Sequence, residues 1–75
     1  MTYVIFNDRL KILRVERGFT QEQAAKAMDI PPRSYQRLEV DGQKTLYGTL
    51  LKIADFYDVS VDWLMGRTDK REVNR

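Results

Sequence analysis

The chain contains neither cysteine nor histidine. Without cysteine it has no disulfide and no thiolate nucleophile, and without either residue type it has no zinc-finger ligands. Histidine is also the side chain used most often for acid–base chemistry near neutral pH. The remaining residues offer no nucleophile–base pair, no metal-ligand cluster and no phosphate-cradling glycine loop. The sequence therefore predicts a non-enzyme without metal, cofactor or evident small-molecule ligand, and it suits the reducing cytoplasm.

Long apolar runs are missing as well. The N-terminal residues 1–6 are apolar, but this run is too short for a signal-peptide core and lacks a basic lead-in. No stretch approaches the roughly 20 apolar residues that a membrane helix needs. We therefore expect a soluble protein that is not exported and has no membrane partner. Its 75 residues allow one small domain.

Excess charge of one sign is also scarce, since 13 basic residues face 11 acidic ones and the net charge is +2. The distribution is more informative than the total. Residues 47–66 carry a net −2, residues 18–46 are neutral, and residues 1–17 and 67–75 each carry +2. Within 18–46 we predict that the charges separate by face, with Glu39 turned inward and four basic side chains turned outward: Lys26, Arg33, Arg37 and Lys44.

Hydrophobic spacing indicates a first helix over about residues 6–17. Phe6, Leu10 and Leu13 form an apolar stripe at helical spacing, and Gly18 is suited to end the helix in a left-handed conformation. The start is open to three interpretations. Thr2 can cap an early start, Asn7 can cap a late one, and residues 3–6 also have the composition of a short strand. We favour the helix over the strand.

Four further helices are predicted along the chain. The second covers about 21–28, with Thr20 and Gln23 as a capping box, and the third runs from Pro32 to 38 or 39. The fourth covers about 46–57, with Leu46 on its apolar stripe and Thr45 as candidate cap. The fifth follows Ser60 as N-cap, with a Val59–Leu64 staple and Trp63 as anchor. These patterns predict an all-α domain over 1–66, followed by a polar, flexible tail over 67–75.

Residues 29–32 interrupt one helix and begin another. Proline cannot continue a helix but suits the first position of a new one. The new helix presents Arg33 and Arg37 one turn apart. Side chains on the outward face and N-terminal half of such a helix reach base edges in the major groove. Each guanidinium can pair with guanine, and such a contact favours the correct base over a wrong one by ~1–3 kcal/mol. The alternative is that both arginines are ordinary solvated surface.

The chain resembles the Cro and lambda-repressor type of helix-turn-helix protein, also called the XRE family. The resemblance rests on the order and spacing of residues 20–39 and of the flanking segments 9–14, 50–54 and 59–66. The resemblance covers residues 6 to about 68. Ala25 matches the position where the two helices approach closely. The resemblance implies a compact five-helix, lambda-repressor-like domain whose helices 2 and 3 form the helix-turn-helix, and it implies binding to double-stranded DNA.

The resemblance also implies roles for particular residues. Positions matching Pro32, Arg33 and Arg37 usually read bases, and those matching Ser34 and Gln36 assist. Gln21 matches a glutamine that binds a backbone phosphate, and Gln43 and Lys44 match positions that often bind the next phosphate. Arg14 and Glu39 match an ion pair between helices 1 and 3. Three positions depart from the family pattern, namely Asp29 in place of glycine, Pro31 in place of a Ser or Thr cap, and the apolar Pro32.

The resulting functional hypothesis is a transcriptional regulator, most simply a phage-type or plasmid-type repressor. A domain this small covers few base pairs, so useful specificity implies a homodimer on a pseudo-palindromic site with half-sites ~34 Å apart. The candidates for its interface, each of which equally suits the core, are Tyr3, Ile5, Tyr57, Val61 and Met65. The competing hypothesis is an antitoxin-like or adaptor module that acts mainly through protein–protein interaction.

Overall fold

A computed structural model of the chain describes residues 2–40 and 45–73, with side chains from Ile5 onward. All regular structure in these two ranges is helical, as the sequence predicts. The five helices are α1 (Thr2–Glu16), α2 (Gln21–Ala27), α3 (Pro32–Val40), α4 (Tyr47–Tyr57) and α5 (Val61–Leu64). None of the helices in the described ranges is both long and apolar enough to span a bilayer.

The first helix begins earlier than predicted, at Thr2 rather than near Phe6. The strand interpretation of residues 3–6 and the late start at Asn7 are therefore wrong. Asn7 lies inside α1 and not at its N-terminus. Its side-chain amide donates a 2.9 Å hydrogen bond to the Val40 carbonyl at the end of α3. Ile5 is half-buried, and its side chain lies directly beside Gly66. The contact of Ile5 with Gly66 favours helical structure upstream of Phe6.

One apolar core is shared by all five helices. Tyr35, Leu10, Leu13, Ile53 and Leu64 are its largest fully buried side chains. Because these residues come from α1, α3, α4 and α5, the core locks the third helix to the rest of the domain. The small, fully buried Ala24 and Ala25 allow α2 to approach closely.

Most of the predicted dimer candidates contribute to this core. Tyr57 is buried, and the half-buried Val61 and Met65 pack against the core cluster. Ile5 is half-buried under Gly66, and the Tyr3 side chain lies outside the described side chains. The exposed large apolar side chains of the described part are instead Ile12, Val15, Val40, Leu46, Tyr47, Leu51 and Val73.

Four helices end in the same way, with one residue in the left-handed conformation. Gly18, Asp29, Asp58 and Gly66 have φ between 54° and 80°. At each site two backbone N–H groups turn back to carbonyls of the preceding helix; after α2, Asp29 N–H donates to Lys26 (3.1 Å) and Ile30 N–H to Ala25 (2.8 Å). This is the Schellman arrangement, which satisfies carbonyls that the helix leaves free. Aspartate tolerates the conformation better than most side chains.

The predicted start of α2 is confirmed. Thr20 Oγ1 accepts a 3.1 Å hydrogen bond from the Gln23 N–H, and the Gln23 side chain accepts a 2.9 Å bond from the Thr20 N–H. The third helix begins at Pro32 as predicted, with the Pro31 carbonyl accepting the first helical bond, from Tyr35 N–H at 2.9 Å. Proline at the first helical position loses nothing, because that N–H has no helical partner.

The predicted start of α4 is wrong in one detail. Its N-cap is Leu46, which makes no side-chain capping bond, so Thr45 does not occupy the cap position. Leu46 is 75% exposed because it precedes the helix, and the buried stripe of α4 begins at Leu50. The cap of α5 is confirmed, since Ser60 Oγ accepts a 2.8 Å bond from the Trp63 N–H.

The segment that follows α5 makes several polar contacts with the domain. The Arg71 carbonyl accepts a 3.0 Å bond from the Ser60 N–H, and the Arg71 guanidinium forms a two-pronged ion pair with Glu16 of α1. Arg9 donates to the Thr68 carbonyl at 3.0 Å. The guanidinium carbons of Arg9 and Arg71 lie 4.6 and 5.1 Å from the ring centroid of Trp63. The flexibility expected of residues 67–75 stays a prediction.

Candidate nucleic-acid interface

The exposed face of α3 carries the side chains that the sequence selects as base readers. Arg33, Ser34, Gln36 and Arg37 are all exposed, as is Pro32 at the start of the helix. On the opposite face Tyr35 is fully buried and Leu38 packs against the core. Tyr35 and Leu38 are one turn apart, so they fix both the position and the rotation of α3. The polar face therefore points outward.

The only acidic residue of α3, Glu39, is turned inward. Its carboxylate meets Arg14 of α1, with 2.7 Å between Arg14 Nε and Oε2 and 3.3 Å between Arg14 Nη2 and Oε1. The Glu39 side chain is 4% exposed and that of Arg14 is 13% exposed. Arg14 also donates a 2.9 Å bond to the Phe19 carbonyl. The ion pair removes the one negative charge of the helix from its outer face.

The charge states of this pair are fixed by their surroundings. Burial by itself would raise the pKa of the Glu39 carboxyl, but the hydrogen bonds from Arg14 and Gln21, together with the nearby Tyr35 hydroxyl, outweigh burial and lower the pKa below its usual value. The hydrogen bond with Glu39 raises the pKa of the Arg14 guanidinium. Both groups are therefore charged at neutral pH, and the outer face of α3 keeps its positive charge.

Two buried hydroxyl groups lie close to this ion pair. Burial raises the pKa of Tyr35 and of Tyr57, and the nearby Glu39 charge raises both further. The Tyr35 hydroxyl is near enough to Glu39 to help lower the pKa of that carboxyl. Neither tyrosine hydroxyl has a hydrogen-bond partner among the described residues. At neutral pH both tyrosines are neutral.

Gln21, the predicted phosphate ligand, is attached to the same ion pair. It is the first residue of α2, is half-buried, and donates from Nε2 to Glu39 Oε1 at 3.1 Å. The structure thus brings Gln21, Arg14 and Glu39 together at the junction of three helices. The other two predicted phosphate ligands, Gln43 and Lys44, lie outside the described residues.

A groove of about 520 Å³ runs beside the exposed face of α3. It separates the turn and α3 from α4, and its walls include Ser34 and Arg37 on one side and Thr49 and Lys52 on the other. Lys52 is absent from the binding site that the sequence predicts. A signal was available, because Lys52 is the only basic residue between positions 47 and 66, but its proximity to Arg37 depends on how α4 packs.

Nothing in residues 2–40 and 45–73 resembles a metal site, since no three Asp or Glu side chains there are clustered as ligands. What the interface does offer is two exposed guanidiniums and two polar side chains on one helical face. Guanidinium groups donate paired hydrogen bonds to guanine edges and to phosphates. The arrangement is thus suited to an anionic polymer with hydrogen-bonding edges.

Comparisons with known proteins agree with this geometry. A family model described as "Helix-turn-helix" matches residues 10–64, a range that includes α2, the turn and α3. The chain is 35% identical over 66 residues to the HTH-type transcriptional regulator ImmR of Bacillus subtilis, covering 88% of this chain and 52% of ImmR. It is 37% identical over 65 residues to the uncharacterized regulator YobD of the same species, covering 87% and 58%.

A third relative, the SPbeta prophage-derived uncharacterized HTH-type transcriptional regulator YonR of Bacillus subtilis, is 30% identical over 64 residues, covering 85% of this chain and 59% of YonR. The chain thus spans between half and three fifths of the length of these relatives. The match includes the helices that build the interface described above. The chain belongs to the XRE-type helix-turn-helix family, with α2 and α3 as the two helices of the motif.

Proposed function

We propose that this domain binds double-stranded DNA in a sequence-specific way, with α3 in the major groove. The observation that carries the proposal is the charge of α3. Arg33 and Arg37 lie on its exposed face, while its only acidic residue, Glu39, is paired inward with Arg14. An α-helix fits the major groove, where arginine recognises guanine through O6 and N7. A net charge of only +2 is compatible with DNA binding because the outer face of α3 carries two exposed arginines and no exposed acidic side chain.

The proposed contacts divide into two classes. Arg33 and Arg37 read bases, with Gln36 and Ser34 assisting, and Pro32 contributes at most a contact to a thymine methyl group. Phosphate contacts, which position the protein without carrying sequence information, come from four residues: Gln21, Gln43, Lys44 and Lys52. The position of Lys52 on the groove beside Arg37 supports its inclusion.

We further propose that the protein regulates transcription, most simply as a phage-type or plasmid-type repressor in the cytoplasm that occludes a promoter. The support is that relatives matched over the DNA-binding region are named transcriptional regulators, one of them prophage-derived. Repression by occlusion needs no more than tight, specific binding.

The proposed operator is pseudo-palindromic and is bound by two copies of the chain. Four exposed apolar side chains lie at the end of α3, at the N-cap of α4 and on α4: Val40, Leu46, Tyr47 and Leu51. The longest extent of the domain, 28 Å, is shorter than the ~34 Å between half-sites one helical turn apart. Two copies can therefore occupy adjacent half-sites without overlap, and we propose that this surface lies between them. A surface of four side chains is small for a protein–protein interface, so we expect a weak dimer that forms fully only on DNA.

The test of DNA reading is binding of a selected operator measured by fluorescence anisotropy. We expect Arg33→Ala to weaken the cognate site and to relax preference for one base pair, by about 1–3 kcal/mol of discrimination. Arg67→Ala is the matched control, because it removes the same charge from an exposed arginine outside α3. Its binding should retain full base preference. Binding that is insensitive to salt and to Arg33→Ala would favour the adaptor hypothesis instead.

The test of the dimer compares two exposed apolar positions. Leu51→Asp places a charge in the proposed interface, whereas Ile12→Asp places one on the outer face of α1. Band shifts on a two-half-site operator should show cooperative binding for the wild type and for Ile12→Asp, and independent binding for Leu51→Asp. Equal cooperativity in all three proteins would contradict this interface.

A further inference from the structure

We infer that Glu39 is a positioning residue for DNA binding, because its carboxylate holds the side-chain amide of Gln21 in the orientation that leaves an N–H free for a backbone phosphate. This inference rests on the proposed function. It assigns Glu39 a second task beyond the ion pair with Arg14. Its basis is the hydrogen bond of 3.1 Å between Gln21 Nε2 and Glu39 Oε1.

The amide nitrogen of glutamine carries two N–H donors. One of the Gln21 donors is used by Glu39, and the second points away from it because the two N–H bonds diverge. Gln21 is the first residue of α2 and is half-buried. Its side chain therefore bridges inward to the ion pair while the second donor stays available.

A carboxylate is the partner best able to choose between the two ends of this amide. An ionised carboxylate only accepts hydrogen bonds, so it attracts the nitrogen end and repels the oxygen end. Glu39 is ionised at neutral pH, since its neighbours lower its pKa. A bond to a charged acceptor is also stronger than one between neutral groups. Gln21 is therefore fixed with nitrogen, not oxygen, on the side that interacts with Glu39.

Glu39 is itself held firmly enough to act as this reference point. Arg14 donates to both carboxylate oxygens of Glu39, at 2.7 and 3.3 Å. The Glu39 side chain is 4% exposed. Its backbone belongs to α3, which carries the proposed base readers. The hydrogen bond thus connects Gln21 of α2, the proposed phosphate ligand, directly to α3. Ordering Gln21 before binding should strengthen the phosphate contact about threefold to tenfold.

The test uses operator DNA in which single phosphates are replaced in turn by neutral methylphosphonates. The Gln21 phosphate is the one whose replacement weakens the wild type but not Gln21→Ala. At that phosphate we expect the replacement to weaken wild-type binding about tenfold and to weaken Glu39→Gln by about threefold or less. Base preference at the Arg33 position should be the same in both proteins.

Arg14→Ala is the matched control, because it breaks the ion pair but leaves the carboxylate of Glu39 to hold Gln21. It should retain most of the sensitivity to the methylphosphonate. The inference is overturned if folded Glu39→Gln keeps the full wild-type sensitivity, or if Arg14→Ala loses sensitivity as completely as Glu39→Gln does. If Gln21→Ala remains as sensitive as the wild type to the methylphosphonate at every position, the inference is also overturned. The proposed DNA binding would be unaffected by that result. A wild type that binds no selected DNA overturns the proposed function too.

A measurement on the free wild-type protein covers the case in which Glu39→Gln does not fold. NMR relaxation of side-chain NH2 groups should show Gln21 as ordered and Gln36, which is exposed on α3, as mobile. The Gln21 NH2 signals should also shift as Glu39 is protonated in acid. Equal mobility of the two side chains, or an acid-insensitive Gln21 signal, would overturn the inference.

Discussion

Removal of the Glu39 carboxylate should destabilise the domain far more than removal of the Arg37 guanidinium. Glu39→Ala deletes the partner of Arg14 at the junction of α1 and α3, where the two side chains are 4% and 13% exposed. Arg37→Ala truncates a side chain that is exposed to solvent. The two variants change the same helix by one charge each, and they differ mainly in burial.

The magnitude follows from what each variant leaves behind. Removing one partner of a buried ion pair costs ~3–5 kcal/mol because the other charge stays buried. Here Arg14 keeps its 2.9 Å bond to the Phe19 carbonyl, so we expect about 2–3 kcal/mol, below the range for a fully stranded charge. In a domain of this size that lowers Tm by roughly 10–20 °C. For Arg37→Ala we expect a change within about 0.5 kcal/mol, or roughly 4 °C at most.

Thermal unfolding at pH 7, followed by circular dichroism, measures both changes. Arg14→Ala and the double variant complete a cycle whose interaction energy isolates the pair. We expect the double variant to be less destabilised than the sum of the two single variants. Equal melting temperatures for Glu39→Ala and Arg37→Ala would refute the assignment of Glu39 as a structural partner of Arg14.

Because the folded-state pKa of Glu39 is lowered, the ionised carboxyl contributes to stability above its usual pKa of 4.5. This contribution is lost as the pH falls from there through the folded-state pKa. In denaturant titrations between pH 6 and 3, the free energy of unfolding should therefore fall less steeply with pH for Glu39→Gln than for the wild type. Gly66→Ala should lower Tm, since Gly66 has φ +80° and a Cβ there would lie 2.9 Å from the Ile5 side chain. Gly48 is a helical site with open space around it, so Gly48→Ala should raise stability by up to about 1 kcal/mol. Equal effects of the two substitutions would contradict both expectations. Arg71→Ala should shift Trp63 emission to the red with only a small loss in Tm, because a guanidinium that lies 5.1 Å from the ring centroid is removed; unchanged emission would show that this contact is absent in solution.

Local signals were sufficient to predict much of the fold. Helical spacing located the core residues of α1 and α4, and the reciprocal side-chain bonds of Thr20 and Gln23 depend on residues only three positions apart. Proline and glycine marked helix boundaries for steric reasons that act within one residue. The early start of α1 was not predicted because it is favoured by a contact distant in sequence, that of Ile5 with Gly66.

The candidate site was predictable only in part, for the same reason. Arg33 and Arg37 could be selected because helical geometry alone puts them one turn apart. The hydrogen bond between Gln21 and Glu39 and the proximity of Lys52 to Arg37 arise from packing between helices, which local sequence does not encode. Likewise, exposure of Tyr47 and burial of Tyr57 on one helix are settled by which face meets α5 and the core. The site residues themselves stay predictions.

In vitro selection of DNA from a random pool shows whether α3 reads base edges through Arg33 and Arg37. We expect enrichment of a pseudo-palindrome with half-sites about one helical turn (~34 Å) apart and with guanines at matching positions in each half. Selection with Arg33→Ala should lose one of those guanines and retain the rest of the site. Absence of any enriched sequence, or an identical site for the wild type and Arg33→Ala, would contradict the account.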